Sequence, residues 1–228
     1  MKNYAIILAS GTGKRFESDL PKQFAKINGK SLLEYSIEAF ESCRCIDGII
    51  VVITPEYNSL ARKIIENNGY QKVIKLVNGG KERKDSSYIG VNSIDEIDAN
   101  VLIHDCARPF VSHEIINNCI VMLEKYDAVA AAIPSTDTVI ETKNGMITCV
   151  PDRLSLMRIQ TPQCFRLSLI KNAHELSKND YNFTDDCGLV IKHKLADIHI
   201  VYGAEQNIKI TYPRDIKMAE FLINNMYE

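Results

Sequence analysis

Ser10-Gly11-Thr12-Gly13 interrupts an apolar run, Ala5 to Ala9, and two cations, Arg15 and Lys22, follow soon after. Glycines let a chain turn sharply and bring its backbone N–H groups close to an anion. A strand, a glycine loop and two cations in that order are equipped to hold phosphate. Two familiar glycine loops fail on spacing. A dinucleotide loop needs a third glycine three residues after Gly13, where Phe16 stands. A Walker loop needs glycine at Leu8 and Ser or Thr at Arg15. A tight strand-to-loop turn with two surface cations is the plainer reading of the same stretch. A second glycine loop, Gly79-Gly80, precedes Arg83 and Ser86, and Ser86 offers a small donor and acceptor. Asp105 follows an apolar segment, and an acceptor-only carboxylate at a strand end suits ribose hydroxyls or a hydrated Mg²⁺. Asp105 and Arg108 could also form a structural ion pair.

These groups need a frame, and the chain supplies alternating helices and strands. Ser31-Leu32-Leu33-Glu34 is a capping box that opens a helix to about Ser42. Gly48 to Ile53 reads as a strand, and Thr54-Pro55 opens a helix that Gly69 closes. Strands are expected at Lys72 to Val77, Val101 to His104, Ala128 to Ile133 and Ile198 to Val201. Helices are expected at Arg83 to Val91, after Ser112, near 168–177 and 185–193, and from Pro213. This order implies a single α/β domain over 1–228, with a mostly parallel sheet and helices on both faces. Ligands in such sheets bind beyond the carboxyl ends of the strands, where the glycine loops and Asp105 fall. Between Pro134 and Cys149 the pattern changes to a hairpin, Thr138 to Thr142 and Met146 to Cys149, with Asn144-Gly145 in its turn. An isolated hairpin is only marginally stable, so residues 134–155 are expected to pack on something: their own subunit, or a second copy as a dimerisation arm.

Composition excludes several classes. A formal net charge of −2 leaves no electrostatic footprint for nucleic acid or anionic membrane. No apolar run reaches the roughly 18 residues of a membrane span, and no signal-peptide pattern precedes the first strand. The seven cysteines form no Cys-x-x-Cys pair, which fits a reduced, cytoplasmic setting. The five histidines show no metal-ligand spacing, so protein-held zinc is not expected.

Ala9-Ser10-Gly11-Thr12-Gly13-Lys14-Arg15 and Pro21-Lys22-Gln23 resemble the opening of the cytidylyltransferases that act on methylerythritol phosphate or ribitol phosphate. Gly79-Gly80 with Arg83, Asp85 and Ser86 resembles the family's second motif, and His104-Asp105-Cys106-Ala107-Arg108-Pro109-Phe110 its third, with Cys106 in place of alanine. Asp137-Thr138, Arg153, Gln160-Thr161-Pro162-Gln163, Thr184-Asp185-Asp186 and Asn207-Ile208-Lys209 follow in family order, so the likeness covers essentially the whole chain. It implies a Rossmann-like nucleotidyltransferase sandwich and a homodimer. It also implies attack by a polyol phosphate on the α-phosphorus of CTP, with release of pyrophosphate. A phosphate nucleophile with a second pKa of about 6 needs no general base, so catalysis would be positioning and charge stabilisation.

On that resemblance Arg15, Lys22 and Lys209 are the catalytic cations. Ala9, Ser10, Gly11, Thr12, Gly13, Gly80, Arg83, Ser86, Asp105 and Cys106 hold the nucleotide. Arg108, Asp137, Thr138, Thr161 and Arg153, the last reaching across the dimer, hold the acceptor. Mg²⁺ or another divalent cation would ride mainly on the CTP phosphates, with Asp105 as its protein contact, direct or through water. A nicotinamide oxidoreductase would need the missing glycine at position 16. A sugar-1-phosphate nucleotidyltransferase would share only the opening motif. For the acceptor, the short spacing before Pro21 resembles the methylerythritol enzymes. Against that, methylerythritol enzymes usually carry a basic residue soon after Asp-Thr, where this chain has Val139-Ile140-Glu141, and Cys164-Phe165 and Thr184 to Val190 look closer to capsule-type relatives. The expectation is therefore D-ribitol 5-phosphate or a related alditol phosphate, giving a CDP-alditol for wall or capsule polymer, with methylerythritol phosphate as the alternative.

Overall fold

A computed structural model describes residues 1–11, 13, 16, 20–180 and 182–225. Strands β1 (Lys2–Ala9), β2 (Lys26–Ile27), β3 (Lys30–Ser31), β4 (Gly48–Ile53), β5 (Val73–Asn78), β6 (Ala99–Asp105) and β7 (Ala128–Pro134) alternate with α1 (Leu32–Glu41), α2 (Asn58–Asn68), α3 (Arg83–Asn92) and α4 (His113–Leu123). The hairpin β8 (Glu141–Lys143) and β9 (Met146–Cys149) follows. The chain then continues through β10 (Met157–Arg166), α5 (Leu167–Leu176), α6 (Asp186–Lys192), β11 (Ile198–Tyr202) and α7 (Arg214–Asn225). Among the described residues seven strands make one sheet in the order β11-β7-β10-β6-β1-β4-β5. All run parallel except β10, which is antiparallel to both β6 and β7.

The sheet is buried on both faces, which is why its strands read as continuous apolar runs rather than alternating ones. Ala5, Ile7 and Ala9 of β1 pack toward α1 and α4, against Leu33, Ile37, Phe40, Ile116 and Cys119. Tyr4, Ile6 and Leu8 point the other way, toward Val91 of α3, Ile170 and Ala173 of α5 and Leu189 of α6. The capping box holds: the Ser31 hydroxyl accepts from the Glu34 N–H at 3.3 Å, and the Glu34 carboxylate accepts from the Ser31 N–H at 2.8 Å. Gly69 ends α2 with φ +65°, the left-handed conformation that glycine adopts without penalty.

Three points differ from the expected elements. Pro55 opens a single 3₁₀ turn, Pro55–Tyr57, before α2 begins at Asn58. The sequence also gave no hint of β10, the reversed strand wedged between β6 and β7. Its register slips between Ile159 and Gln163, and Gln160 to Phe165 are all buried. A bulged strand with polar residues facing inward at consecutive positions breaks the period-two pattern that would reveal it. The hairpin forms about the expected turn, with φ +52° at Asn144 and +78° at Gly145, but its first strand starts at Glu141, leaving Thr138 to Ile140 outside the ladder.

Candidate active site

The carboxyl ends of β1 and β6 and the N-terminal turn of α3 surround a cavity of about 250 Å³. Ala9, Ser10, Gly11, Lys22, Gly80, Arg83, Ser86, Asp105, Cys106 and Lys209 all line it, with Leu8, Gln23, Lys81, Glu82 and Ala107 between them. Residues 200 positions apart in sequence meet because β1 and β6 are neighbours and the segment after β11 returns alongside: the Ile210 N–H donates to the Ala107 carbonyl at 2.8 Å. Gly13 has φ +62° and accepts the Phe16 N–H at 2.7 Å. Thr12 and Arg15 lie outside the described residues.

The two glycine loops press against each other. Ser10 donates to the Ser86 hydroxyl at 2.7 Å, and that hydroxyl accepts from the Gly80 N–H at 3.1 Å. A Cβ on Gly79 would fall 2.4 Å from the Ser10 Cβ, so glycine is required there by contact rather than by its dihedral angles.

Asp105 is the electrostatic centre. Its carboxylate accepts from Arg83 Nε at 3.0 Å and from Lys209 Nζ at 2.6 Å. Burial opposes its charge, but Arg83 and Lys209 outweigh burial and hold its pKa well below the usual carboxylate range. Arg83 is shared with a second carboxylate, since its Nη1 donates to Asp186 at 2.7 Å. Burial disfavours the guanidinium charge, yet Asp105 and Asp186 raise its pKa above the ordinary value. Asp186 is almost fully buried at the start of α6 and also accepts from the Ser87 hydroxyl. The expected alternative, an Asp105–Arg108 ion pair, does not form. Arg108 instead donates to the carbonyls of Asn207 at 2.7 Å and Ile159 at 3.3 Å.

A buried relay sets the Asp105 loop. His104, fully enclosed, meets the Arg108 carbonyl at 2.9 Å through Nε2. A carbonyl only accepts, so Nε2 carries the proton and Nδ1 accepts from the Thr161 hydroxyl at 3.0 Å. The Thr161 oxygen in turn accepts the Asp105 N–H at 3.1 Å. Burial pushes the His104 pKa down to about 4, so the ring is neutral at physiological pH. Thr161 is 4 % exposed, and its hydroxyl, bonded to both His104 and the Asp105 N–H, positions Asp105. Burial also pushes Cys106 up to about 12, so it stands as a thiol and not a nucleophile.

Lys22 donates to the Ile210 carbonyl at 3.2 Å, which ties the first loop to the segment bearing Lys209. Arg108 and Lys209 also line a second cavity of about 250 Å³ with Ile133, Arg158, Gln160 and Glu205. Asp137, Thr138 and Arg153 line neither cavity; all three are exposed near the hairpin. The single chain does not bring them to either cavity.

Sequence reasoning missed Asp186, Gln160 and Gln163 as builders of the site. Gln163 accepts from the N–H groups of Asp186 and Cys187 at 2.9 and 3.3 Å and donates to Asp185, locking the start of α6. No local signal marks them: β10 reads Met-Arg-Ile-Gln-Thr-Pro-Gln-Cys-Phe-Arg, neither a continuous apolar run nor a strict alternation, and its buried amides persist because they are hydrogen-bonded.

A Rossmann-like sheet with a glycine-lined, cation-rich cavity beyond its strand ends fits a nucleotidyltransferase. The profile of the IspD family, 2-C-methyl-D-erythritol 4-phosphate cytidylyltransferase, matches residues 4–225. The chain belongs to that family and is a CTP-dependent, pyrophosphate-releasing cytidylyltransferase. It is 38 % identical to the 2-C-methyl-D-erythritol 4-phosphate cytidylyltransferase of Thermobifida fusca, over 96 % of this chain and 92 % of that one. It is also 38 % identical to the Clostridium perfringens protein of the same name, over 97 % and 99 %. The solved 4-diphosphocytidyl-2C-methyl-D-erythritol synthase of Anaerococcus prevotii superposes with a TM-score of 0.88 at 31 % identity, covering 98 % of this chain and 96 % of that one. The Thermus thermophilus 2-C-methyl-D-erythritol 4-phosphate cytidylyltransferase gives 0.78 at 26 % identity, over 98 % and 100 %.

Proposed function

We propose that the chain transfers CMP from CTP to 2-C-methyl-D-erythritol 4-phosphate. Whole-length likeness to relatives of that name supports the reading over the alditol phosphate expected from the sequence. The strings behind that expectation also look different in three dimensions. Cys164 and Phe165 are buried in β10, and Asp185 to Val190 build the start of α6, so they report packing rather than acceptor choice.

The observation that carries the reading is the cavity itself: the cations Lys22 and Lys209 and the Asp105 carboxylate, contributed by distant segments, face one space beside two glycine loops. CTP would lie there with its base against Ser10 and the Gly79–Ser86 loop and its ribose toward Asp105. Lys22 and Lys209 would hold phosphate oxygens and stabilise charge as the α-phosphorus is attacked. The acceptor's own phosphate oxygen is the nucleophile, and pyrophosphate leaves. This needs no protein base, which agrees with Cys106 held as a thiol and His104 occupied elsewhere.

A divalent cation fits this arrangement only as a guest of the nucleotide. Among the described residues no three His, Cys, Asp or Glu side chains converge as a metal site, and both Asp105 oxygens already meet cations. Mg²⁺ would offset triphosphate charge, with Asp105 its one buried carboxylate neighbour in the cavity. A homodimer is part of the proposal. Apolar residues of the hairpin region are open to water, with Leu154 90 % and Met146 71 % exposed, and a second copy would cover them while delivering the partner subunit's Arg153 and Thr138 to the acceptor.

Kinetics with CTP and each polyol phosphate test the acceptor. The expected result is a kcat/KM for methylerythritol phosphate roughly 100-fold or more above that for D-ribitol 5-phosphate, since a site built to hydrogen-bond one polyol discriminates strongly. Preference for ribitol phosphate would overturn it.

A further inference from the structure

The two cavities share Lys209. In-line displacement puts the attacking oxygen and the departing pyrophosphate on opposite sides of the α-phosphorus. With CTP in the first cavity, an acceptor phosphate that reaches Lys209 has its carbon chain left to place, and the second cavity adjoins it there.

That cavity is built to keep its shape. Gln160, 4 % exposed, donates to the Ala204 carbonyl at 2.8 Å and accepts from Asn207 Nδ2 at 3.2 Å. A Cβ at Gly203 would fall 2.2 Å from Gln160 Oε1, so a side chain there would push the Gln160 amide from its place. Three cations stand on the walls. Lys209 is bonded to Asp105, and Arg108 has spent its terminal nitrogens on two backbone carbonyls. Arg158 is different: its Nη2 donates to both oxygens of Glu205 at 2.8 and 3.0 Å, and the two side chains are 48 % and 64 % exposed. An exposed pair of this kind holds weakly in water and can exchange its bonds for those of a ligand.

We propose that Arg158 and Glu205 form the far wall of the acceptor subsite and grip the hydroxyl groups of the polyol chain. The guanidinium donates to hydroxyl oxygens and the carboxylate accepts from hydroxyl hydrogens, so the pair recognises a polyhydroxylated phosphate and not a phosphate alone. The inference rests on the polyol-phosphate reading above.

Arg158→Ala and Glu205→Ala test it by steady-state kinetics, varying CTP and methylerythritol phosphate in turn. The KM for the polyol phosphate should rise about tenfold in each variant, the size expected for one lost hydrogen-bonding group. The KM for CTP should stay within about twofold, because neither residue lines the nucleotide cavity. Thermal midpoints matching wild type would exclude misfolding. An unchanged polyol KM in both variants, or an equal rise in both KM values, overturns the inference while wild-type turnover leaves the proposed function standing. Absence of wild-type turnover with any polyol phosphate overturns the proposed function and this inference together.

Discussion

Lys22 reaches across 188 positions to the Ile210 carbonyl, so the side chain that would meet the triphosphate also steadies the Lys209 segment. Lys22→Ala should therefore lower kcat by about 100-fold or more, the scale of one lost preorganised charge stabiliser. Activity close to wild type would remove Lys22 from the chemistry. His104 gives a separate, acid-sensitive signature. Its pKa falls from 6.5 in the unfolded chain to about 4 in the folded one, so below pH 6.5 the unfolded chain binds a proton that the native ring refuses. Stability is full above that pH and declines toward about pH 4, by roughly 3 kcal/mol in all. His174, whose pKa is lowered by burial, acts in the same direction. Asp105 acts in the same direction at lower pH: with its folded pKa depressed, its contribution is present above its unfolded value of 3.8 and is lost as pH falls below it. Urea denaturation at pH 7, 5.5 and 4.5 should show the decline, and His104→Gln should flatten its slope. A flat wild-type profile would contradict the neutral buried ring.

At the level of elements, the parts with local signals were readable and the parts set by long-range contact were not. The Ser31 capping box, Gly69 and the Asn144-Gly145 turn declare themselves within four residues, and each sits where the sequence puts it. Ser31→Ala should cost about 1 kcal/mol in chemical denaturation, with unchanged stability arguing that the cap contributes nothing. β10 was invisible because it is bulged and its inward glutamines satisfy partners 23 to 47 positions away, not a local period. The motif residues were found as types in order, but their roles depended on that hidden strand. Thr161 became a support for Asp105, and Asp186 emerged as the anchor of Arg83. Removing the Gln163 amide with Gln163→Leu should loosen the start of α6, raising the KM for CTP through Arg83 and lowering stability by about 1–3 kcal/mol as two N–H groups lose their acceptor. An unchanged melt and KM would show that α6 holds without it.

For the whole molecule, the proposed homodimer would complete the acceptor side, because Asp137, Thr138 and Arg153 stand apart from both cavities in the single chain. Arg153→Ala and Lys22→Ala proteins should each be nearly inactive, and mixing them should partly restore turnover, since one site of a mixed dimer regains both cations. No recovery, or a fully active monomer, would place Arg153 outside the neighbouring site. The central claim, nucleotidyl transfer in which CTP gives up CMP to a polyol phosphate, is tested most directly by following label from the α- and γ-phosphates of CTP during turnover with methylerythritol phosphate. The account predicts the α-label in the polyol product and the γ-label in pyrophosphate. A γ-label on the polyol, or an α-label that never leaves free cytidine nucleotides, would contradict it.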